Sequence, residues 1–358
     1  MGEHEGEAGC VSKPDAQRRG WNYSLRAARR VRLLTLGNED MTVFRNDAVA
    51  KVSGAALYAD DYRFDRMAHA APVYADAVHA ELRGIDTAAA AAAPGVLRVI
   101  TAADVPGVCG FGQIEADYPI FVRDRVRSAG DVIALVVAES RAQAITAAAL
   151  VRAELMPLPA VLDPEEALRD EVLVHPARGT NLVNHHHLVR GDVERGLAES
   201  AHVIVQEFAT QAIEHAYLEP ESAVANPRPD GVLEIYGSMQ HPYSTRRFCA
   251  ALLGMPLSEI EVYTIAVGGG FGGKDDTAAA VSARAALAAT LCRRPVKLTY
   301  DREWSMRESY KRHPYRLRYE LGVDADGKLR AARIRIVADG GAYCSVTPWV
   351  TWRSVVHC

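Results

Sequence analysis

Residues 266–276, AVGGGFGGKDD, concentrate the groups best suited to holding an anionic ligand. Five of the six residues from 268 to 273 are glycine, and Lys274, Asp275 and Asp276 follow. Glycines leave backbone N–H groups uncovered and tolerate positive φ, so a ligand can approach the main chain closely. Gly268, Gly270 and Gly273 fit the G-x-G-x-x-G of a dinucleotide turn, while Gly268, Gly273 and Lys274 fit the G-x-x-x-x-G-K of a phosphate loop. A phosphate loop would need a hydroxyl where Asp275 stands, and two adjacent carboxylates would repel a triphosphate. A dinucleotide turn calls for an acid roughly 20 residues on, but Asp301 comes later. The elements expected next form an antiparallel ribbon instead of a parallel crossover. A plain turn would need fewer glycines, each of which costs backbone entropy. The remaining reading is a loop whose backbone cradles some other large, partly anionic ligand.

Other candidate groups carry weaker signals. His185, His186 and His187 adjoin, and alternation would put His185 and His187 on one face of a strand, yet no carboxylate or fourth ligand stands near. A solvated strand edge explains them better than a metal. Lys311, Arg312 and His313 form a basic patch before Pro314. Asp275 also stands where an aspartate would cap a helix over AAAVSARAAL.

The glycine loop needs a strand before it and a helix after it. SEIEVYTIAV supplies the strand, and DDTAAAVSARAALAATLCRR an alanine-rich helix with arginines at its C-terminal end. PVKLTY follows as a strand, then RLRYELGVDADGKLRAARIRIV as an antiparallel pair across an Asp-Gly turn. Upstream, VLRVIT reads as a strand whose Thr101 caps AADV, and DVIALVVAES as a buried strand. RAQAITAAALVRAELM is expected to be a helix of about four turns. Asp192 caps another helix, HVIVQEF and LEIYGSMQ are strands, and YSTRRFCAALLGMP is a helix with a Ser/Thr cap. These elements predict an α+β protein. An arm covers residues 1–46, a small α/β domain 47–160, a proline-limited linker 161–174 and a second domain 175–358.

Composition narrows the classes. The 358 residues carry a formal charge of -4, with 49% hydrophobic and 24% charged residues, which suits a globular protein and argues against a nucleic-acid coat. The six cysteines are scattered without zinc or iron–sulfur spacing, as expected of reduced thiols. The N-terminus has no apolar signal core and no run is long enough to span a membrane, so the expected location is cytoplasmic. The apolar close, TPWVTWRSVVHC, suggests burial against a partner or a longer parent chain.

VGGGFGGKDD resembles the glycine loop of the molybdenum hydroxylases, the xanthine dehydrogenase and aldehyde oxidase family. There G-G-G-F-G-G-K is followed by an acid. FRNDAVAKVSGAALYADD, AAAAPGVLRVITAADVPG, TQAIEHAYLEPESAVA, SMQHPYSTRRFCAALLGMP, DREWSMRESYKRHPY and ADGGAY are similar to further family phrases in the same order, so the resemblance spans roughly residues 44–358. It implies a small hammerhead domain, then part of a molybdopterin-binding domain with mixed and antiparallel strands.

By this resemblance, Gly269, Gly270, Phe271, Gly272 and Gly273 hold a molybdenum–pterin cofactor, in a dinucleotide form, with the Phe271 N–H facing the metal's oxygen. No side chain ligates the metal. Asp275 matches the acid that reaches substrate in xanthine-type members. Ile213 occupies the position of a family glutamine, and Gln211 is a poor substitute. His215, Glu219, Lys274 and Arg312 belong to the surrounding shell.

The resemblance also implies the N-terminal half of a cofactor-binding large subunit, inactive alone. A second molybdenum-binding segment, an iron–sulfur subunit carrying [2Fe-2S] and an FAD subunit would complete it, as in split nicotinate dehydrogenase-type assemblies. Its reaction would hydroxylate a small aromatic heterocycle or an aldehyde with oxygen from water. A non-catalytic scaffold related to that subunit is the alternative.

Overall fold

The computed structural model describes residues 45–357. The expected arm, apart from its last two positions, lies outside them. Contacts divide the chain into Met1–Ser53 and Gly54–Cys358. In the first unit a short helix, Ala48–Val52, carries an ion pair between Lys51 Nζ and Asp47 Oδ2 at 2.7 Å.

The second unit begins with β1 (Ala68–Tyr74), β2 (Ala80–Asp86), β3 (Val96–Thr101) and β4 (Val132–Ala138). Every residue of β4 is buried, as its unbroken apolar run VIALVVA requires of a central strand. It lies antiparallel to β1 on one side and β3 on the other. Thr101 ends β3 and accepts the Ala103 N–H, as its hydroxyl predicted. The helix expected over RAQAITAAALVRAELM is cut short. It runs as α1 from Arg141 to Ala148, and Arg152–Pro157 then forms β5, antiparallel to β2. Pairing with a strand some distance upstream outweighs the helix propensity of a few residues.

Further on come α2 (Val193–Ala198), β6 (His202–Thr210), β7 (Ser222–Pro227) and β8 (Leu233–Gly237). Then follow α3 (Pro242–Leu253), β9 (Ile260–Thr264), α4 (Asp276–Cys292) and β10 (Val296–Thr299). The last elements are α5 (Arg302–Glu308), β11 (Tyr315–Val323), β12 (Leu329–Ala338) and α6 (Thr347–Val356). Asp192 caps α2 through the Arg195 N–H, as expected. α3 starts differently: Pro242 is its first residue, His241 its unbonded cap, and Thr245 lies inside, bonded back to the His241 carbonyl.

One seven-stranded sheet runs β9-β8-β7-β10-β1-β4-β3. It draws strands from both sides of residue 160, so the two sequence segments share a core. β8 is parallel to β9 and β10 to β1, while the remaining neighbours are antiparallel. Counting directions across the sheet, β9 and β10 point the same way, with two strands between them. The glycine loop therefore sits in a parallel β9–α4–β10 crossover, contrary to the sequence expectation. The antiparallel ribbon, β11 with β12, comes only after PVKLTY has been taken into the sheet between β7 and β1.

α4 is buried from Asp276 to Ala289. Its alanines let the backbone settle close to the sheet. A second sheet, β12-β11-β6, is antiparallel throughout, and a small third sheet pairs β2 with β5 and with Arg125–Val126. The architecture is α+β with one mixed sheet, as the sequence implied.

Candidate cofactor-binding site

Parallel β8 and β9 bring their C-terminal ends side by side. β9 leads into the glycine loop, and β8 leads through Ser238 and Met239 to Gln240. Loops at the carboxyl ends of neighbouring parallel strands are a common place for ligand sites, because helix N-termini gather there.

Gly269 and Gly272 have φ of 99° and 93°, and Phe271 has φ of 52°. A phenylalanine in the left-handed region is uncommon and is held there by its surroundings. Gln240 Oε1 accepts the N–H of Gly272 at 3.0 Å and of Lys274 at 3.2 Å. Gly273 N–H closes a tight turn onto the Gly270 carbonyl at 2.7 Å. Gly268 N–H is taken by Glu219 Oε2 at 2.6 Å. Among the described residues, the N–H groups of Gly269, Gly270 and Phe271 have no acceptor. The Phe271 side chain stands 78% exposed beside them.

Lys274 points the other way. Its side chain is fully buried, with Nζ 2.9 Å from Glu219 Oε2, 2.8 Å from Ser238 Oγ and 4.7 Å from the centre of the Tyr217 ring. Burial pulls this ammonium below its ordinary pKa, and the Glu219 carboxylate opposes the pull. A lysine committed inward cannot reach a phosphate on the open side of the loop, which removes the phosphate-loop reading.

Asp275 occupies the cap position of α4 without making a side-chain cap bond. Its Oδ1 accepts from Gln113 Nε2 at 3.4 Å and its Oδ2 lies 3.5 Å from His241 Nε2. Burial raises its pKa, while His241 and Gln113 work against the rise. Asp276 turns inward to accept from the Ser345 hydroxyl at 2.8 Å.

His215 packs against Gly273: a Cβ there would meet its ring Nδ1 at 2.8 Å. That Nδ1 is buried without a hydrogen-bond partner, as is Glu219 Oε1. Ile213 and Arg312 lie on a bridge between chain segments, joined by Arg312 N–H to Ile213 O at 2.9 Å. The Arg312 guanidinium donates to the Gln211 carbonyl at 2.9 Å. Their hydrogen bonds thus go to one another and to Gln211, and the amide that touches the loop is Gln240. His185 and His187 stack at 6.2 Å, and no group of three or more metal-ligating side chains occurs among the described residues.

The arrangement fits a large, partly anionic group. Three consecutive N–H donors are unspent, and an exposed aromatic ring flanks them. Gly272 opens to space, with only His215 Nε2, at 3.8 Å, near the point where a Cβ would stand. Gln240, Ser238, Gln113 and His241 escaped the sequence reading. The signal that could have found Gln240 is its place at the carboxyl end of LEIYGSMQ, just before a helix.

Comparison with known proteins identifies the family. Residues 174–358 match the molybdopterin cofactor-binding domain, and residues 53–159 the a/b hammerhead domain of aldehyde oxidase and xanthine dehydrogenase. Over 313 residues the chain is 36% identical to a probable xanthine dehydrogenase subunit of Bacillus subtilis, covering 87% of this chain and 42% of that protein. It is 34% identical over 313 residues to the nicotinate dehydrogenase large molybdopterin subunit of Eubacterium barkeri, covering 87% of this chain and 73% of that subunit. Among solved structures, the aldehyde oxidoreductase of Desulfovibrio gigas superposes with a TM-score of 0.77 at 29% identity, over 82% of this chain and 34% of that one. Quinoline 2-oxidoreductase of Pseudomonas putida 86 gives 0.75 at 30% identity, over 84% and 39%. The chain thus spans less than half the length of most of these relatives.

Proposed function

Because the chain belongs to the aldehyde oxidase and xanthine dehydrogenase family of molybdopterin-binding proteins, we propose that it forms one wall of the cofactor site in a multi-subunit hydroxylase. The observation that carries this reading is the run of unspent N–H groups at Gly269, Gly270 and Phe271. When bound, the molybdenum–pterin group would supply the two-electron oxidation that places an oxygen from water on an electron-poor carbon.

The chain's own residues do the holding. Gly269, Gly270 and Phe271 donate backbone hydrogen bonds to the anionic edge of the group, and donors fixed in advance stabilise charge without reorganising. Gln240 spends its oxygen on the loop, holding the Gly272 and Lys274 N–H groups. Phe271 covers an apolar face of the cofactor or substrate and helps exclude water. Asp275, one methylene shorter than the family's glutamate, orients a substrate heteroatom from the His241 side. His215, Glu219 and Lys274 back the loop from beneath, and Arg312 holds the chain segment beside it.

The substrate class is an aromatic N-heterocycle or an aldehyde, in keeping with the names of the relatives. A second molybdenum-binding segment, a [2Fe-2S] subunit and an FAD subunit complete the enzyme and carry the electrons away. The apolar face of the β12-β11-β6 sheet, with Ile204, Phe208 and Ile334 exposed, offers a surface for such a neighbour.

The test is to purify the complete complex containing this chain, measure molybdenum and pterin per complex, and assay turnover on heterocycles and aldehydes. Stoichiometric cofactor with turnover on one class is expected. A fully assembled complex without molybdenum would overturn the proposal.

A further inference from the structure

Gly268 and Lys274 mark the two ends of the glycine loop, and one ion pair, its lysine fully buried and its glutamate nearly so, engages both. Glu219 Oε2 accepts the Gly268 N–H at 2.6 Å, the Ser238 hydroxyl at 2.7 Å and Lys274 Nζ at 2.9 Å. The Ser238 oxygen in turn accepts from Lys274 Nζ at 2.8 Å. Three separate chain segments meet here: the stretch before β7, the end of β8 and the loop itself.

Packing alone does not call for a charge at this place. A buried ammonium costs free energy unless paired, and an apolar side chain of similar volume usually serves the core as well or better. The loop, by contrast, has little of its own to hold it. Its glycines have no side chains to pack, and its one large side chain, Phe271, faces outward. Without anchors at both ends such a stretch would sample many conformations, and its free N–H groups would not converge.

We infer that Glu219 and Lys274 are positioning residues that set the distance between the loop's two ends, so that the N–H groups of Gly269, Gly270 and Phe271 form one preorganised donor set. Gln240 secures the same loop through the N–H groups of Gly272 and Lys274. The identity of the bound group rests on the reading above, but the ordering of the loop does not.

The complete complex is compared as wild type, Lys274→Met, Ser238→Ala and the double variant Glu219→Gln/Lys274→Met. Amide hydrogen exchange of peptides within 265–276 is read against peptides from β1 and β4, together with molybdenum and pterin content. In Lys274→Met the loop peptides should exchange about tenfold faster while the core peptides stay unchanged, the pattern of a local opening. Cofactor content should fall severalfold. The double variant should stay close to Lys274→Met in both readouts, because it relieves the unpaired Glu219 charge without restoring the link from residue 274 to the other end of the loop. Ser238→Ala, a smaller change that keeps the ion pair, should accelerate loop exchange more modestly and covers the case in which Lys274→Met does not accumulate.

Unchanged loop exchange in whichever of these variants folds would overturn the inference. So would equal acceleration in the core peptides, which marks a general structural role, or a double variant restored to wild-type loop exchange, which would assign the effect of Lys274→Met to the unpaired Glu219 charge alone. A wild-type complex devoid of molybdenum would sink the cofactor reading alone, since the exchange comparison would still decide whether the pair orders the loop.

Discussion

The Arg284 guanidinium of α4 meets the Glu308 carboxylate of α5 at 2.5 Å, with both side chains essentially sealed from solvent. Tyr300 and Tyr118 donate to the same carboxylate at 2.6 and 2.8 Å, and Arg284 Nε donates to the Ile120 carbonyl at 3.0 Å. The pair ties the helix that follows the glycine loop to segments from far earlier in the chain. Removing one partner leaves a buried charge uncompensated, so Arg284→Met should destabilise the protein by about 3–5 kcal/mol. Arg284→Met combined with Glu308→Gln should cost clearly less. Denaturant unfolding of both variants measures the difference.

Gly270→Ala should act through a neighbour. A Cβ at residue 270 would lie 2.5 Å from Gln240 Oε1, so the glutamine must swing away and release the N–H groups of Gly272 and Lys274. Global stability should fall by no more than ~1 kcal/mol, because the displaced group is the end of a flexible side chain at the surface. Molybdenum content of the assembled enzyme should drop severalfold. Elemental analysis alongside thermal unfolding separates the two effects.

Asp275→Asn should leave cofactor content near normal, since this carboxylate accepts from Gln113, lies 3.5 Å from His241 and takes no loop N–H. If its side chain orients substrate, the ratio of kcat/KM between a heterocycle and an aldehyde should shift by about tenfold, the size of one altered polar contact. Steady-state kinetics on both substrates provides the check, and an unchanged ratio would assign Asp275 to the loop's support only.

Stability should depend on pH through Asp131. Burial pushes its carboxyl up to about 6, against hydrogen bonds from the Arg127 N–H and the Tyr343 hydroxyl. Since the folded value lies above the unfolded one, the favourable contribution is complete below the unfolded pKa and is lost as pH rises through about 6. The span corresponds to ~3 kcal/mol between about pH 4 and pH 7.5, at 1.4 kcal/mol per pKa unit. Asp131→Asn should remove that slope whatever its constant offset. Unfolding free energies across the pH range test the sign.

The chain on its own should self-associate. Ile204 and Phe208 of β6 are 55% and 53% exposed, and Trp349 and Trp352 of α6 are 48% and 53% exposed. β6 also ends its sheet with an open edge. Sedimentation velocity should show concentration-dependent oligomers, and a single monomeric species over a wide concentration range would contradict this.

Much of this arrangement is legible locally. The VLRVIT strand and its Thr101 cap, the DVIALVVA strand and the long alanine-rich helix are each encoded by periodicity and by a residue or two at their ends. What escaped depends on partners distant in sequence. Arg152–Pro157 has helix-forming composition and becomes a strand only because β2 is there to pair with it. Gln240 carries no motif, and its relation to Gly272 exists only because β8 and β9 lie side by side. Lys274, read from the sequence as a possible phosphate ligand, turns inward because Glu219 and Ser238 are waiting beneath it.

The seven-stranded sheet has a consequence for dissecting the molecule. β1, from the first sequence segment, is hydrogen-bonded on one side to β4 and on the other to β10, from the second. A cut near residue 160 would sever one peptide bond and leave every strand whole, with the β1–β10 ladder as the joint between the two pieces. The two pieces would remain complementary halves of a single hydrophobic core, each exposing a raw strand edge when alone. Expressed together they should find one another as fragments of a split protein do, so the linker is a natural place to attach reporters or to bring assembly under external control.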